Sequence, residues 1–348
     1  MKRNWIVDKT DLILITGAAG FVGSKVLEVL LEYGFTRLRC LVRSNRNLGE
    51  LRRIVDSSKA QVEFVEGNLM SPDDCRQAAR DVSLILHMAA GTGKSFADCF
   101  MNSAVSTRNL LDAALEVAHL KRFLNVSSLA VYSGFNMCRG LVLDEGCPIE
   151  NDHMARFDPY CYGKIKQDEI VIRYGREHGL PFVILRPGVV YGPGKKSLTG
   201  RVGIDTFGIF IHLGGSNRIP IIYVDNCAEA IILAGVTEGI DGETFIAVDD
   251  NLPTSRQFLR LYKKNVRRFF SIYVPYSVSY CLHWLWEKYS KWSEGQLPPV
   301  FNRRNCATYY QRQLYSNRKL KERTGWSPRV PFEDASRRYF EFMKTKGE

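Results

Sequence analysis

The stretch ITGAAGFVGSKVLEVLLEYG, Ile15 to Gly34, limits the fold more than any other in this chain of 348 residues. A short apolar run, DLILITG (Asp11 to Gly17), ends in glycine, and a helical pattern follows from Gly20 to about Tyr33. Gly17, Gly20 and Gly23 therefore stand between a predicted strand and a predicted helix. Glycine at these points permits a tight turn, close helix–strand packing and approach of the backbone to a pyrophosphate seated on the helix N-terminus. A glycine triplet alone is weak, but the strand–turn–helix context points to a dinucleotide site.

The rhythm continues. RLRCLV, QVEFVEG, VSLILHMAA, RFLNVSS and PFVILRP read as further strands, each followed by polar or helical sequence. Near-continuous apolar strands separated by helices indicate a parallel sheet covered on both faces. After Pro187 the chain becomes rich in glycine, then irregular and aromatic. Residues 1–187 are expected to form the sheet domain, completed by about 219–250. Residues 188–218 and 251–348 are expected to form a smaller substrate-binding lobe.

Composition narrows the class. Hydrophobic content of 45% and charged content of 24% are globular values. The net charge of +11 admits an anionic ligand, an anionic membrane surface or nucleic acid. The blander alternative is an enzyme with a basic surface. Positive charges are dispersed apart from short clusters such as Lys263 to Arg268, so no basic stripe argues for nucleic acid. The nine cysteines have no C-x-x-C pair and no metal-ligand spacing. Their odd number in a long chain argues against a disulfide framework. The N-terminus lacks the apolar core of a signal peptide, so the cytoplasm is the default compartment.

The glycine spacing is T-G-x-x-G-x-x-G, and here the chain resembles the extended short-chain dehydrogenase/reductase family. The likeness is to its epimerase/dehydratase and 3β-hydroxysteroid dehydrogenase-like branches. GNL (Gly67 to Leu69), HMAAG (His87 to Gly91), VSSLAVYS (Val126 to Ser133), Tyr160 with Lys164, and LRPGVVYGPG (Leu185 to Gly194) follow in family order. IYVDNCAEAIILA (Ile222 to Ala234) and KLKERTGWSPRVPFEDASRRYFEF near the end carry it over almost the whole chain. The resemblance implies a Rossmann-type doubly wound parallel α/β sheet with a smaller C-terminal substrate-binding lobe, and a homodimer built through a helix bundle.

It also assigns residues. Gly17, Gly20, Phe21, Val22 and Gly23 would hold the dinucleotide, with Asn68 and Leu69 at the adenine. Ala89, Ala90, Gly91, Ser127, Pro187, Val189 and Val190 would line it further along. Ser103 stands where the family usually has asparagine, with Asn102 adjacent. At the end of the second strand the family often places an acid on the ribose hydroxyls. Here no acid occurs from Arg37 to Gly49, and Arg43 stands at the strand end with Arg46 nearby. A guanidinium suits a 2′-phosphate, which favours NADP(H) and leaves NAD(H) as the alternative.

Tyr160 and Lys164 are four apart at the start of a predicted helix and so share a face. A phenol titrates near 10 and is a poor base at neutral pH. The Lys164 ammonium, with a positive nicotinamide ring, is expected to lower it toward the working range. The resemblance makes Tyr160 the proton-transfer group, Lys164 also a ribose ligand and Ser128 the hydroxyl on the substrate oxygen. Tyr162 is close but lacks the spacing.

The substrate is less constrained. Leu129 and Ala130 stand where sugar-nucleotide 4,6-dehydratases carry an Asp-Glu pair, which excludes that class. NRIPIIYVDN is apolar where epimerases place an arginine, although Arg218 is one step off register; YVDN resembles the 3β-hydroxysteroid branch. A nucleotide-sugar enzyme would draw its cations from Lys195, Lys196, Arg201 and Arg218. A lipid-alcohol enzyme would draw apolar walls from Gly208–Gly215 and the aromatic stretch after Phe269. That stretch, Phe269 to Trp292, reads as a strand and a core-packing helix with His283 as a packing residue. The alternatives are a substrate wall or an interfacial helix making peripheral membrane contact through 269–292. The reading is an NADP(H)-dependent alcohol dehydrogenase or ketoreductase on a hydrophobic, sterol-like or multi-ring substrate. A nucleotide-sugar epimerase or reductase is second, and a non-catalytic dinucleotide sensor third.

Overall fold

Along the first strand, Ile13 and Ile15 pack into one core while Leu14, with Leu12 just before the strand, packs into another. Successive side chains point to opposite faces of a strand, so this one must be covered on both. The computed structural model describes residues 4–44, 48–195, 198–206, 208–294 and 296–345. Its main sheet contains β1 (Ile13–Thr16), β2 (Arg37–Val42), β3 (Gln61–Glu66), β4 (Leu84–His87), β5 (Arg122–Val126), β6 (Phe182–Pro187) and β7 (Thr244–Ala247). The order is β7-β6-β5-β4-β1-β2-β3, and every pairing is parallel.

Helices cover both faces. On one, α1 (Phe21–Glu32) and a later helix bury Val26, Leu27, Leu30, Ile231 and Ile232 against Ile15, Leu86 and Leu124. On the other, α2 (Ser106–Leu115) and α3 (Pro159–His178) bring Leu110, Leu111 and Val171 onto Leu14, Ile85 and Phe123. The later helix of the first face is α4 (Val224–Val236). A third core lies beyond the sheet, around Tyr132, Tyr191, Phe258 and Tyr339.

Strand order reverses between β1 and β4, and such a switch point opens a crevice at the carboxyl ends of the strands. The β7 edge is capped by side chains. Glu145 Oε1 accepts from the Ile246 N–H at 2.8 Å, and Lys319 Nζ donates to the Thr244 carbonyl at 2.9 Å.

One expectation about the C-terminal region is corrected. Helix α5 (Tyr276–Trp292) does follow a strand, Ser271–Tyr273, and its first turns pack Tyr276 and Tyr280 on a small core around Leu213, Cys306 and Tyr310, but most of its large apolar side chains are not buried. Its buried positions are Ser279, His283 and Ser290. They make polar contacts: His283 Nδ1 lies 2.7 Å from the Ser279 carbonyl, and Ser290 Oγ donates to the Leu297 carbonyl at 2.5 Å. His283 is a packing residue.

Candidate functional site

Gly17 follows β1 at φ +74°, a left-handed conformation that favours glycine, and a Cβ there would stand 3.1 Å from the Ala89 nitrogen. A Cβ on Gly23 would lie 2.1 Å from the Gly17 carbonyl oxygen, so α1 can approach the turn only at a glycine. Gly20 caps α1 without a side chain, leaving the helix N-terminus open toward the crevice.

Two clefts share this crevice. The first, about 400 Å³, is bounded by Gly17, Gly20, Arg43, Asn68, Leu69, Ala89 and Ala90, among others. Its described lining contains no carboxylate, and Arg43 is its one cation. Arg46 lies outside the described residues. The Asn68 side-chain oxygen accepts from the Met70 N–H at 3.0 Å, which leaves it a second lone pair. The second cleft, about 670 Å³, brings together Phe21, Val22, Ser127, Ser128, Tyr160, Lys164, Pro187, Val189 and Val190. Its other walls include Leu198, Ile221, Phe258, Tyr309 and Tyr339.

Local sequence places the Tyr160–Lys164 pair. Asp158 caps α3 by accepting from the Cys161 N–H at 3.0 Å, and Pro159 opens the helix. Tyr160 is thus in the first turn, with Lys164 one turn on and buried. Lys164 Nζ donates to the Val126 carbonyl at 2.6 Å and to Gln167 Oε1 at 2.9 Å. Gln167 Nε2 donates to Thr107 Oγ1 at 2.8 Å. His87 bridges Thr107 and Thr16, each at 2.8 Å. A buried hydrogen-bonded chain therefore joins Lys164 to the residue before Gly17. Beside it, Asp168 accepts from Asn125, Ser127 and Arg186 at 2.8–3.1 Å.

The electrostatics depart from the sequence reading. Burial pushes the Tyr160 phenol up to about 12, opposed in part by the Ser128 hydroxyl. Lys164 does not offset this; its amine is directed to Val126 and Gln167. Burial lowers Lys164 itself to about 8, with Asp168 acting in the opposite sense. His87, buried and near Lys164, falls to about 3 and is a neutral imidazole.

Two predicted contacts lie behind the crevice walls. Gly23 packs against the Gly17 turn, and the Gly91 N–H donates to Ser103 Oγ at 3.0 Å. Asn102, not Ser103, lines the first cleft. Residues Phe100–Val105 wind as a π-helix, which stacks residues five apart where an α-helix stacks those four apart. Asn102 lies within this π turn, and Thr107 follows in α2.

The predicted substrate walls need correction. Gly208–Gly215 and the stretch after Phe269 do not line the second cleft. Ile209–His212 instead pairs with Gly203–Thr206 and Ser271–Tyr273 in a separate small sheet. Of the cations, Lys195 and Arg201 reach the cleft. Arg218 bonds the Leu252 carbonyl at 2.6 Å outside it, and Lys196 lies outside the described residues. Sequence reasoning missed Thr16, Thr107, Gln167, Asp168 and Arg186. The i, i+4 step from Lys164 to Asp168 was the available signal.

Comparison with known proteins agrees with this architecture. Cinnamoyl-CoA reductase 1 of Petunia hybrida is 28% identical over 212 residues, which is 60% of this chain. The chain spans 62% of that relative's length, less than two thirds. Sterol-4-alpha-carboxylate 3-dehydrogenase, decarboxylating, of Candida albicans is 26% identical over 344 residues, 92% of this chain and 94% of that protein. The crystal structure of gox2253 matches with a TM-score of 0.76 at 25% identity, covering 97% of this chain and 99% of that one. A family model for the NAD dependent epimerase/dehydratase family matches residues 13–246, from β1 to within β7. The chain belongs to the NAD dependent epimerase/dehydratase family, with the fold of the extended short-chain dehydrogenase/reductases.

Proposed function

We propose that the chain is an NADP(H)-dependent alcohol dehydrogenase or ketoreductase acting on a hydrophobic, multi-ring hydroxy or keto compound. One observation carries this reading: Ser128, Tyr160 and Lys164 converge on a cleft whose walls include Leu198, Ile221, Phe258, Tyr309 and Tyr339. The crevice suits a dinucleotide. Gly23 leaves no room for a Cβ, Gly17 takes a left-handed turn, the α1 N-terminus is open, and Arg43 stands in a cleft whose described lining has no carboxylate. These features would hold the pyrophosphate and favour a 2′-phosphate.

Bound NADPH would supply hydride to the substrate carbonyl carbon. The chain's own part concerns the oxygen. With its phenol near 12, Tyr160 is protonated at neutral pH and gives its proton to the carbonyl oxygen. Ser128 donates a hydrogen bond to the same oxygen as negative charge develops there. Lys164, near 8, is mainly an ammonium at neutral pH and would bond the nicotinamide ribose. In the reverse direction Tyr160 takes the alcohol proton. Burying about 200 Å² of ring surface at ~25 cal/mol per Å² gives roughly 5 kcal/mol before ordering is counted. The Candida relative, named for a sterol dehydrogenation, supports a ring alcohol.

A second reading, a nucleotide-sugar epimerase or reductase, has one observation in its favour. Lys195 and Arg201 both border the substrate cleft, as a diphosphate would require. Arg201 is nevertheless engaged within the chain. It donates to the Thr308 carbonyl at 3.0 Å and lies 5.1 Å from the Tyr309 ring centroid.

Calorimetry distinguishes the readings. NADP(H) is expected to bind more tightly than NAD(H), with the preference reversed in Arg43→Asp. The NADP-loaded protein should then bind and turn over a steroid alcohol. Tighter NAD(H) binding by the wild type sinks the cofactor assignment. Salt-sensitive UDP-sugar binding without steroid binding replaces the first reading with the second.

A further inference from the structure

Beyond Tyr276 and Tyr280, which pack on a small core, helix α5 reverses the usual placement of side chains. It buries two serines and a histidine, and it exposes Val278, Leu282, Leu285, Tyr289 and Trp292 by 48, 55, 50, 50 and 76%. Steps of three and four place these five on one stripe about 20 Å long. The segment leading into the helix adds Phe270, Ile272 and Tyr273, all exposed. An exposed apolar stripe of this length marks a docking face.

Charge identifies what docks. Residues 256–294 carry eight lysines and arginines against two glutamates, more than half of the chain's net charge of +11. One of those glutamates, Glu287, is paired with Arg303. Lys288 and Lys291 are exposed on α5 itself, and Lys263, Lys264, Arg267 and Arg268 precede the strand. A second copy meeting this face across a two-fold axis would set like charges against each other. No described helix is long and apolar enough to cross a membrane, so α5 could lie on a bilayer but not span it. Tryptophan and tyrosine suit the headgroup boundary, where one part of the ring system is apolar and the other wet.

We infer that the face formed by α5 and the strand before it docks on an anionic lipid bilayer, with the helix in the plane of the interface. The short helix Arg303–Tyr310 packs against α5 and supplies Tyr309 to the substrate cleft. One helix thus joins the docked face to the cleft wall. The inference does not depend on the substrate: it stands on exposed side chains and charge alone.

The test uses the full chain with vesicles of equal parts phosphatidylglycerol and phosphatidylcholine, and with phosphatidylcholine alone. Co-sedimentation is expected with the anionic vesicles, at least roughly tenfold stronger than with the neutral ones at low salt. Combined Leu282→Ser, Leu285→Ser and Trp292→Ser should lower anionic-vesicle binding by about tenfold or more, through lost apolar burial. Lys288→Glu with Lys291→Glu should lower it comparably, and salt should erase the difference between this variant and wild type. Both variants should bind the dinucleotide as wild type does, which shows that they are folded. Failure of the wild type to sediment with anionic vesicles overturns the inference. So does a dimer, seen by analytical ultracentrifugation, that the triple variant dissolves, because the face would then belong to a second copy.

Discussion

Two regions of this molecule reverse the usual placement of side chains, and they do so in opposite directions. Around the second cleft, Lys164, Gln167, Asp168, Arg186 and His87 are charged or polar yet buried. Along α5, leucine, tyrosine and tryptophan are exposed. The first reversal is completed within the chain: Lys164 meets Val126 and Gln167, and Asp168 meets Arg186, Ser127 and Asn125. Although the Asn125 Oδ1 is left without a partner, these bonds stiffen the network, which holds the Tyr160 helix before any substrate arrives. The second reversal finds no cover among the described residues. A region satisfied from within positions chemistry; a region left apolar to water positions the whole protein.

Tyr160→Phe tests the inner region most severely. It removes only the exchangeable proton, so turnover should fall by about 10³-fold or more while dinucleotide affinity stays near wild type. A near-normal kcat would show that another group moves the proton. Next, Asp168→Ala leaves the Arg186 guanidinium buried without its carboxylate and should cost about 3–5 kcal/mol in urea unfolding. If Asp168→Leu with Arg186→Met restores most of that loss, the network orients rather than stabilises. An unchanged midpoint in Asp168→Ala would mean that the region does not depend on its internal pairing.

A smaller effect concerns pH. Burial brings Lys164 from its ordinary value of 10.5 to about 8 in the folded protein. Between those values the unfolded chain keeps the proton and the folded chain releases it, so this group adds stability as pH rises from about 8 to about 10.5 and adds none below. Dinucleotide affinity should move the other way, weakening above pH 8 as the ammonium is lost. Titrations of wild type and Lys164→Met across this range check both signs. The smallest effect belongs to the outer region. Leu285→Ser should change unfolding stability by no more than about 0.5 kcal/mol, whereas Leu27→Ser, fully buried in α1, should cost at least about 3 kcal/mol. Equal losses would erase the contrast between the two regions.

Much of the inner region was legible because its constraints are local. A glycine at a left-handed turn, apolar strands and a Tyr–Lys pair one helical turn apart are visible within a few residues of one another. The expected strands after the first correspond to β2 through β6. The partner that Asp168 finds in Arg186 lies 18 residues on, across an αβ connection, and no short pattern reports it. The burial that raises the Tyr160 phenol in the free chain was not legible either. Spacing reveals a nearby lysine but not the burial that outweighs it. For α5 the periodicity distinguishes two faces, but only packing says which looks outward. Ser279, His283 and Ser290 at steps of four and seven were the overlooked sign. The separate sheet that takes Ile209–His212 away from the cleft depends on pairing with Ser271–Tyr273, about sixty residues later.

The edge strand β7 has a consequence outside catalysis. A bare parallel edge offers backbone groups to any extended segment that drifts past, and edge-to-edge pairing is a common start of polymerisation. Here the Ile246 N–H is already held by Glu145 and the Thr244 carbonyl by Lys319. An incoming strand would have to displace both before it could form its first ladder bonds, so the sheet is closed to recruitment at this end without a further strand to cover it.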